Sequence, residues 1–266
     1  MSALVDAAGA THGPAGEGAR IVSLVPSVTE LLCDLGLAGS LVGRTGFCIH
    51  PRAVVAGIPK VGGTKDVRVD RVRELAPTHV VVNVDENRLE LVEELARFVP
   101  SIVVTHPLGP LDNPPLYRLL GGIFGREREA QALCAAFESA CEELAAQEWP
   151  LRQVLYLIWR DPWMTVSRDT YIARTLALVG WQTLPASSPS RYPTVELPRA
   201  GRHADLVLLP SEPYRFRARH LPELEGLLPG ARVSLVDGEA ASWYGSRAVR
   251  GIRSLGVLAR SLQARR

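Results

Sequence analysis

No stretch of this 266-residue chain approaches the ~20 consecutive apolar residues that a helix needs to cross a bilayer, so no helical membrane span is expected. Charge of one sign is equally lacking. The formal net charge is +2, and arginine is dispersed rather than gathered into a basic stripe, which argues against nucleic acid as a partner. No P-loop, dinucleotide fingerprint, zinc ribbon or serine-hydrolase elbow occurs. "VGGTKD" (61–66) has the glycine and lysine of a phosphate loop but neither its spacing nor its preceding strand. Cysteine is scarce, with four in all. Cys134 and Cys141 are seven apart in a helical stretch, hence roughly 10 Å apart along the axis. A disulfide bridges at most ~7 Å, so none is expected there. Cys33 reads as a small core residue, and a reducing, cytoplasmic placement is the simplest. The N-terminal segment has no basic-then-apolar export pattern and no cysteine to carry a lipid. Residues 1–19 therefore read as a disordered Ala/Gly-rich tail.

What is present is an ordinary globular composition, 47% hydrophobic and 22% charged, in a chain long enough for two lobes with cores of their own. "RIVSLV", "SLVGRTGF", "THVVVNV" and "SIVVTHP" read as strands, separated by the helical patterns of "SVTELLCDLGL", "VDRVRELAP" and "NRLELVEELARFV". Strands that alternate with helices and lack hairpin signals imply parallel sheets with right-handed crossovers. Residues 111–150 carry only a helical pattern, with Gly121 and Gly122 marking a kink or junction; the element could reach about 50 Å. "QVLYLIW", "ADLVLLPSEP" and "RVSLVDG" then alternate with helices in a second half. "RELAPTHVVVNVDEN" and "RAGRHADLVLLPSEP" echo one another, each running a basic segment into an apolar strand and an acidic loop. The predicted architecture is α/β: two Rossmann-like lobes, residues 20–110 and 151–266, with parallel sheets joined by a long backbone helix. A ligand cleft is expected between the lobes at the carboxyl ends of the strands.

The strand exits collect the chemistry. In the first half they carry Ser27, Cys48 and His50, then Asn83, Glu86, Asn87 and Arg88. In the second they carry Trp159, Arg160, Trp163, Met164 and Thr165, then Ser211, Glu212 and Tyr214, and finally Trp243, Tyr244 and Arg247 in "VDGEAASWYGSR". Arg191 and Tyr192 occupy a loop between them. Aromatic faces with a few arginines and carboxylates suit one large ligand, partly apolar and partly anionic. Each aromatic alone fits core packing as well as a cleft wall. The recurrence of Trp163, Trp243 and Tyr244 at equivalent strand ends favours the wall. Cys48 and His50 form a C-x-H step, whose side chains share a face in extended backbone. They are candidate metal ligands, with Glu86, Glu212, His220 or Asp237 as further donors, but the pattern fits better a satisfied loop histidine beside a buried thiol. His203 and His220 read as surface residues.

"RIVSLVPSVTELLCDLGL", "LVGRTGF", "IPKVGGTKDVRVDRVRELAPTHVVVN" and the long helix resemble the class III periplasmic binding proteins, the cobalamin- and ferric-siderophore-binding relatives in the helical-backbone metal receptor superfamily. The likeness runs over roughly residues 20 to 262 and is strongest in the first half. It implies a solute-binding protein for a cobalamin-like or ferric-siderophore-like chelate, working with an ABC importer and located in the periplasm or at the membrane. It also implies docking on permease arginines through one acid per lobe, at positions matched by Asp70 and Glu196. Here Asp70 is shorter than the usual glutamate. The alternative is a cytoplasmic enzyme or carrier on the same scaffold, with Cys48 as nucleophile, His50 as its base, and Arg160, Arg191 or Arg247 as anion clamps.

Overall fold

The computed structural model describes residues 3–263. Its contacts divide the chain into two units. The first comprises the chain up to Pro107, Leu111–Phe137 and Tyr244–Arg247; the second comprises Leu108–Pro110, Glu138–Trp243 and the chain from Ala248 onward. The division does not coincide with the segment boundaries expected at 110 and 150.

The first unit opens with a small antiparallel pair, β1 (Leu4–Val5) and β2 (Thr11–His12), where the sequence predicts a disordered tail. The reason is Asp6. Its Oδ1 accepts from the amides of Ala8 and Ala10 at 2.9 and 3.0 Å, and its Oδ2 from the Val104 amide and His12 Nε2, both at 2.9 Å. Burial by itself would raise this carboxyl, but the amide donors and His12 outweigh it and hold its pKa below the usual value. Stability from a lowered acid is complete above the unfolded value near pH 4 and is lost as pH falls through the folded value. Asp6→Asn should cost about 1–3 kcal/mol at neutral pH, because the new amide faces donors where Oδ2 had accepted. Denaturant melts of the two proteins against pH should differ most at neutrality and converge in acid.

Next come β3 (Ile21–Ser23), α1 (Pro26–Asp34), β4 (Leu41–Arg44), α2 (Arg52–Val55), α3 (Val69–Glu74), β5 (His79–Asn83), α4 (Leu89–Ala96) and β6 (Ser101–Thr105). Pro26 starts α1 where no intrahelical N–H is needed. Gly36, at φ +77°, ends it: the Leu37 amide reaches Leu32 O and the Gly36 amide reaches Cys33 O. The four strands are parallel in the order β4-β3-β5-β6. Val22, Val80 and Val82 pack with Val72 of α3 and Leu95 of α4 in one core. The helical stretch expected over 111–150 is two helices, α5 (Asn113–Ile123) and α6 (Glu127–Ala145). The break falls at Gly125, φ +64°, a few residues past the expected Gly121–Gly122.

The second unit holds most of the remainder: β7 (Arg152–Trp159), β8 (Met164–Thr165), α7 (Tyr171–Ala177), β9 (Trp181–Thr183), α8 (Leu197–Ala200), β10 (Leu206–Pro210), α9 (Leu221–Leu227), β11 (Arg232–Val236), α10 (Gly238–Ser242) and α11 (Arg247–Gln263). The order is β11-β10-β7-β8, with β9 also on β7. One edge of β7 is thus shared: Arg152–Val154 pair in parallel with β9, while Leu157 and Trp159 pair antiparallel with β8. "YLIWRDPWMTV" is therefore a buried strand that turns back on itself. Asp161 takes the turn at φ +59°, and Arg160 through Trp163 stand at its tip. The sequence predicts parallel pairing alone, and this hairpin corrects that expectation. On one sheet face Leu155, Leu157, Val207 and Leu209 pack with Leu197, Phe216, Leu224 and Leu228.

Candidate functional site

In the first unit the strand exits are mostly self-satisfied. The Asn83 side chain accepts from the Asp85 amide at 2.8 Å; that of Asn87 accepts from the Asn83 amide and donates to Thr64 O, both at 2.9 Å. A tight loop strands backbone groups that need such partners, so these asparagines hold the loop rather than await a ligand. Tyr244 is buried, and its hydroxyl donates to Glu86 at 2.8 Å. Burial first, then the Glu86 charge and hydrogen bond, keep this phenol protonated far above its ordinary pKa, with the Ser27 hydroxyl opposing in part. Next to it Gly245, at φ +80°, donates to Asn113 Oδ1 and accepts from Tyr117 Oη. A Cβ there would stand 3.0 Å from Ser27 O, so only glycine fits both demands. Arg247 donates from Nε and Nη2 to the two carboxylate oxygens of Glu30 at 2.6 and 2.8 Å. It is a buried structural pair, not the anion clamp considered from sequence.

Cys48 and His50 do not make the site predicted for them. Cys48 is sealed, its sulfur 3.1 Å from Thr45 Oγ1 and 3.8 Å from Ser23 O. Burial pushes the thiol pKa up despite the neighbouring hydroxyls, which disfavours the thiolate that a nucleophile or ligand uses. His50 is half-buried. Among the described residues, no three His, Cys, Asp or Glu side chains come together to hold a metal ion. The alternation in "TGFCIHP" is real, but its outward parity belongs to Phe47 and Ile49, 64% and 51% exposed at the exit of β4. Sequence reasoning passed over both. An inward Cys48 would have identified them. Arg88 is exposed at the N-cap of α4.

In the second unit the exits of β7 and β10 build an aromatic ladder. Trp159 stands edge-on to Tyr214 with centroids 5.5 Å apart; Tyr214 tilts against Phe216 at 4.7 Å; Phe216 lies parallel to Trp163 at 6.3 Å and 4°. The Arg160 guanidinium sits 5.7 Å from the Trp163 ring while donating to Glu223 at 3.0 Å. His220, expected on the surface, is buried behind the ladder, where Nδ1 accepts the Arg217 amide; burial, then Arg219 and Arg160, lower its pKa. Trp159 remains 43% exposed, and Trp163 and Met164 are half-buried. Ser211 accepts the Gly238 amide at 3.0 Å. Glu212 accepts from Ser242 Oγ at 2.9 Å and from the Trp243 indole, and burial raises its pKa against those two bonds. Trp243 is thus tied to the loop beneath it. Arg191 donates to Asp169 O at 2.9 Å and lies 5.7 Å from the ring of exposed Tyr192. The two docking candidates are exposed at helix starts, Asp70 in the first turn of α3 and Glu196 at the N-cap of α8.

Two α/β units, each built on a mainly parallel sheet and the second gathering aromatic residues at the carboxyl ends of β7 and β10, share the two-lobe fold of solved binding proteins. Residues 21–199 match the periplasmic binding protein family, and the chain belongs to that family. Its fold is that of the periplasmic vitamin B12-binding protein BtuF of Vibrio cholerae, with a TM-score of 0.79, 15% identity, and 92% of this chain and 98% of that one covered. The periplasmic heme-binding protein HutB of Vibrio cholerae aligns at TM-score 0.77 and 20% identity over 91% and 99% of the two chains. For the periplasmic heme-binding protein RhuT from Roseiflexus sp. RS-1 the values are 0.76, 19%, 92% and 99%. No curated protein matches. Among the described residues no helix is long and apolar enough to cross a membrane.

Proposed function

We propose that this chain is a solute-binding protein that captures a large metal chelate, corrinoid, haem-like or ferric-siderophore-like, and hands it to an ABC importer. The observation that carries this reading is the ladder at the exit of β7, where Trp159 keeps much of its ring in solvent beside Tyr214. A broad macrocycle gains most from such a preformed aromatic surface, because little side-chain freedom is lost on binding. Solved proteins of the same fold are named for vitamin B12 and heme. Importer-coupled capture would place the chain in the periplasm or in association with the membrane that holds the importer. The experiment is a spectral titration with cobalamin, hemin and a ferric siderophore. One of them should bind with a dissociation constant on the order of 1 µM or tighter, about −8 kcal/mol. Unmoved spectra with all three would end the proposal.

Docking on the importer is assigned to Asp70 and Glu196, whose carboxylates stand exposed. Asp70→Arg combined with Glu196→Arg should leave chelate affinity unchanged and abolish stimulation of the importer's ATPase. Undiminished stimulation would remove these two acids from the docking surface.

A further inference from the structure

In the first unit β4 is an edge strand, and residues 59–61 run alongside it. The Arg44 amide donates to Pro59 O at 3.0 Å and the Val61 amide to Arg44 O at 2.8 Å, which holds Lys60 beside Arg44. Between this ribbon and α2 lies a cavity of about 590 Å³, a size usual for small-molecule sites. Arg44, Arg52 and Lys60 stand in its wall, and no aspartate or glutamate lines it. Among the described residues none of the three cations forms an ion pair.

Arg44 is only 5% exposed. It donates from Nε to Val55 O at 2.7 Å and from Nη1 to Thr45 O at 3.0 Å. Its third nitrogen, Nη2, has no hydrogen-bond partner among the described residues, yet it is not one of the atoms sealed from solvent. Two carbonyls thus answer two of the three nitrogens and none of the charge. A guanidinium withdrawn so far from water is stabilised by an anion on its open side. Arg52 and Lys60 are exposed, so their long side chains are free to turn toward the same anion.

We propose that this cavity binds a small organic phosphate monoester, whose phosphoryl oxygens accept from Arg44 Nη2, Arg52 and Lys60. A dianion suits three cations with no acid among them, and its three oxygens can meet donors from three directions. Ile49 and Ala56 supply apolar wall for the organic part. All of these residues belong to the first unit, whereas the aromatic ladder belongs to the second, so this site does not depend on chelate capture.

The probes are phenyl phosphate, phenol and inorganic phosphate, titrated calorimetrically at low salt and about pH 8, where the ester is a dianion and screening is weak. Phenyl phosphate should bind the native protein with a dissociation constant of about 0.1 mM or tighter, and the other two at least about tenfold more weakly, since each lacks half of the ligand. Arg52→Ala combined with Lys60→Ala removes two exposed side chains and should leave the melting temperature unchanged. It should weaken phenyl phosphate about 10- to 100-fold, as the loss of charge-assisted hydrogen bonds does. Arg44→Lys should weaken it by about tenfold or more, because one nitrogen cannot span both carbonyls and the ligand. Should that variant fold poorly, the double variant still decides. No binding of phenyl phosphate up to about 10 mM would overturn the proposal. So would phenol or inorganic phosphate binding as tightly as the ester, or undiminished affinity in the double variant.

Discussion

Arg247→Ala is expected to lower stability by about 3–5 kcal/mol, the usual cost of leaving one half of a buried ion pair behind. The side chains of Arg247 and Glu30 are only 4% and 13% exposed, so the abandoned carboxylate would have little water to turn to. Both of its oxygens lose a short charged donor at once. Denaturant melts read the loss directly. Arg247→Met combined with Glu30→Leu should recover most of it, because removing both charges abolishes the desolvation penalty that removing one exposes. A residue that clamped a ligand's anionic arm would behave in the opposite way, with stability unmoved and chelate affinity reduced. A loss under about 1 kcal/mol would mean that the pair is screened as surface pairs are.

Arg247 illustrates where sequence reading reached its limit. The sheets were legible because "HVVVN" and "LVLLP" are continuous β-branched or aliphatic runs that only a strand buried on both faces tolerates. The polar residues after those strands were legible as a set but not individually. Asn83, Asn87, Tyr244 and Glu212 sit where a ligand-binding residue would sit, yet the asparagines satisfy loop amides, Tyr244 donates to Glu86 and Glu212 accepts from Ser242. Nothing in residue type separates a side chain that holds a loop from one that meets a solute; the difference lies in which groups the fold buries. The same holds at the N-terminus, where Ala and Gly suggest disorder but one buried carboxylate with four donors organises residues 4 to 12. The turn after Trp159 was visible as an interruption of the apolar run. Its return as β8 was not, because two residues are too few to show a period.

Trp159→Ala should weaken chelate binding about 10- to 100-fold, roughly 1.4–2.7 kcal/mol, while changing stability by less than about 1 kcal/mol. The separation follows from geometry: the ring is 43% exposed at the last residue of β7, where register with β8 already shifts, so little core depends on it. Trp163 makes the contrast. Stacked on Phe216 and packed against the core, it should cost stability as well as affinity when truncated. Trp159→Phe should retain most of the affinity, since a flat apolar face survives, and a cycle with Tyr214→Ala should show coupling because the two rings touch. Spectral titrations and melts on the same samples decide between the two roles. If Trp159→Ala bound as well as the native protein but melted lower, the ring would be a lid on the hydrophobic core. The weight of recognition would then fall on Phe47 and Ile49, an aromatic and an aliphatic group left open at the exit of β4.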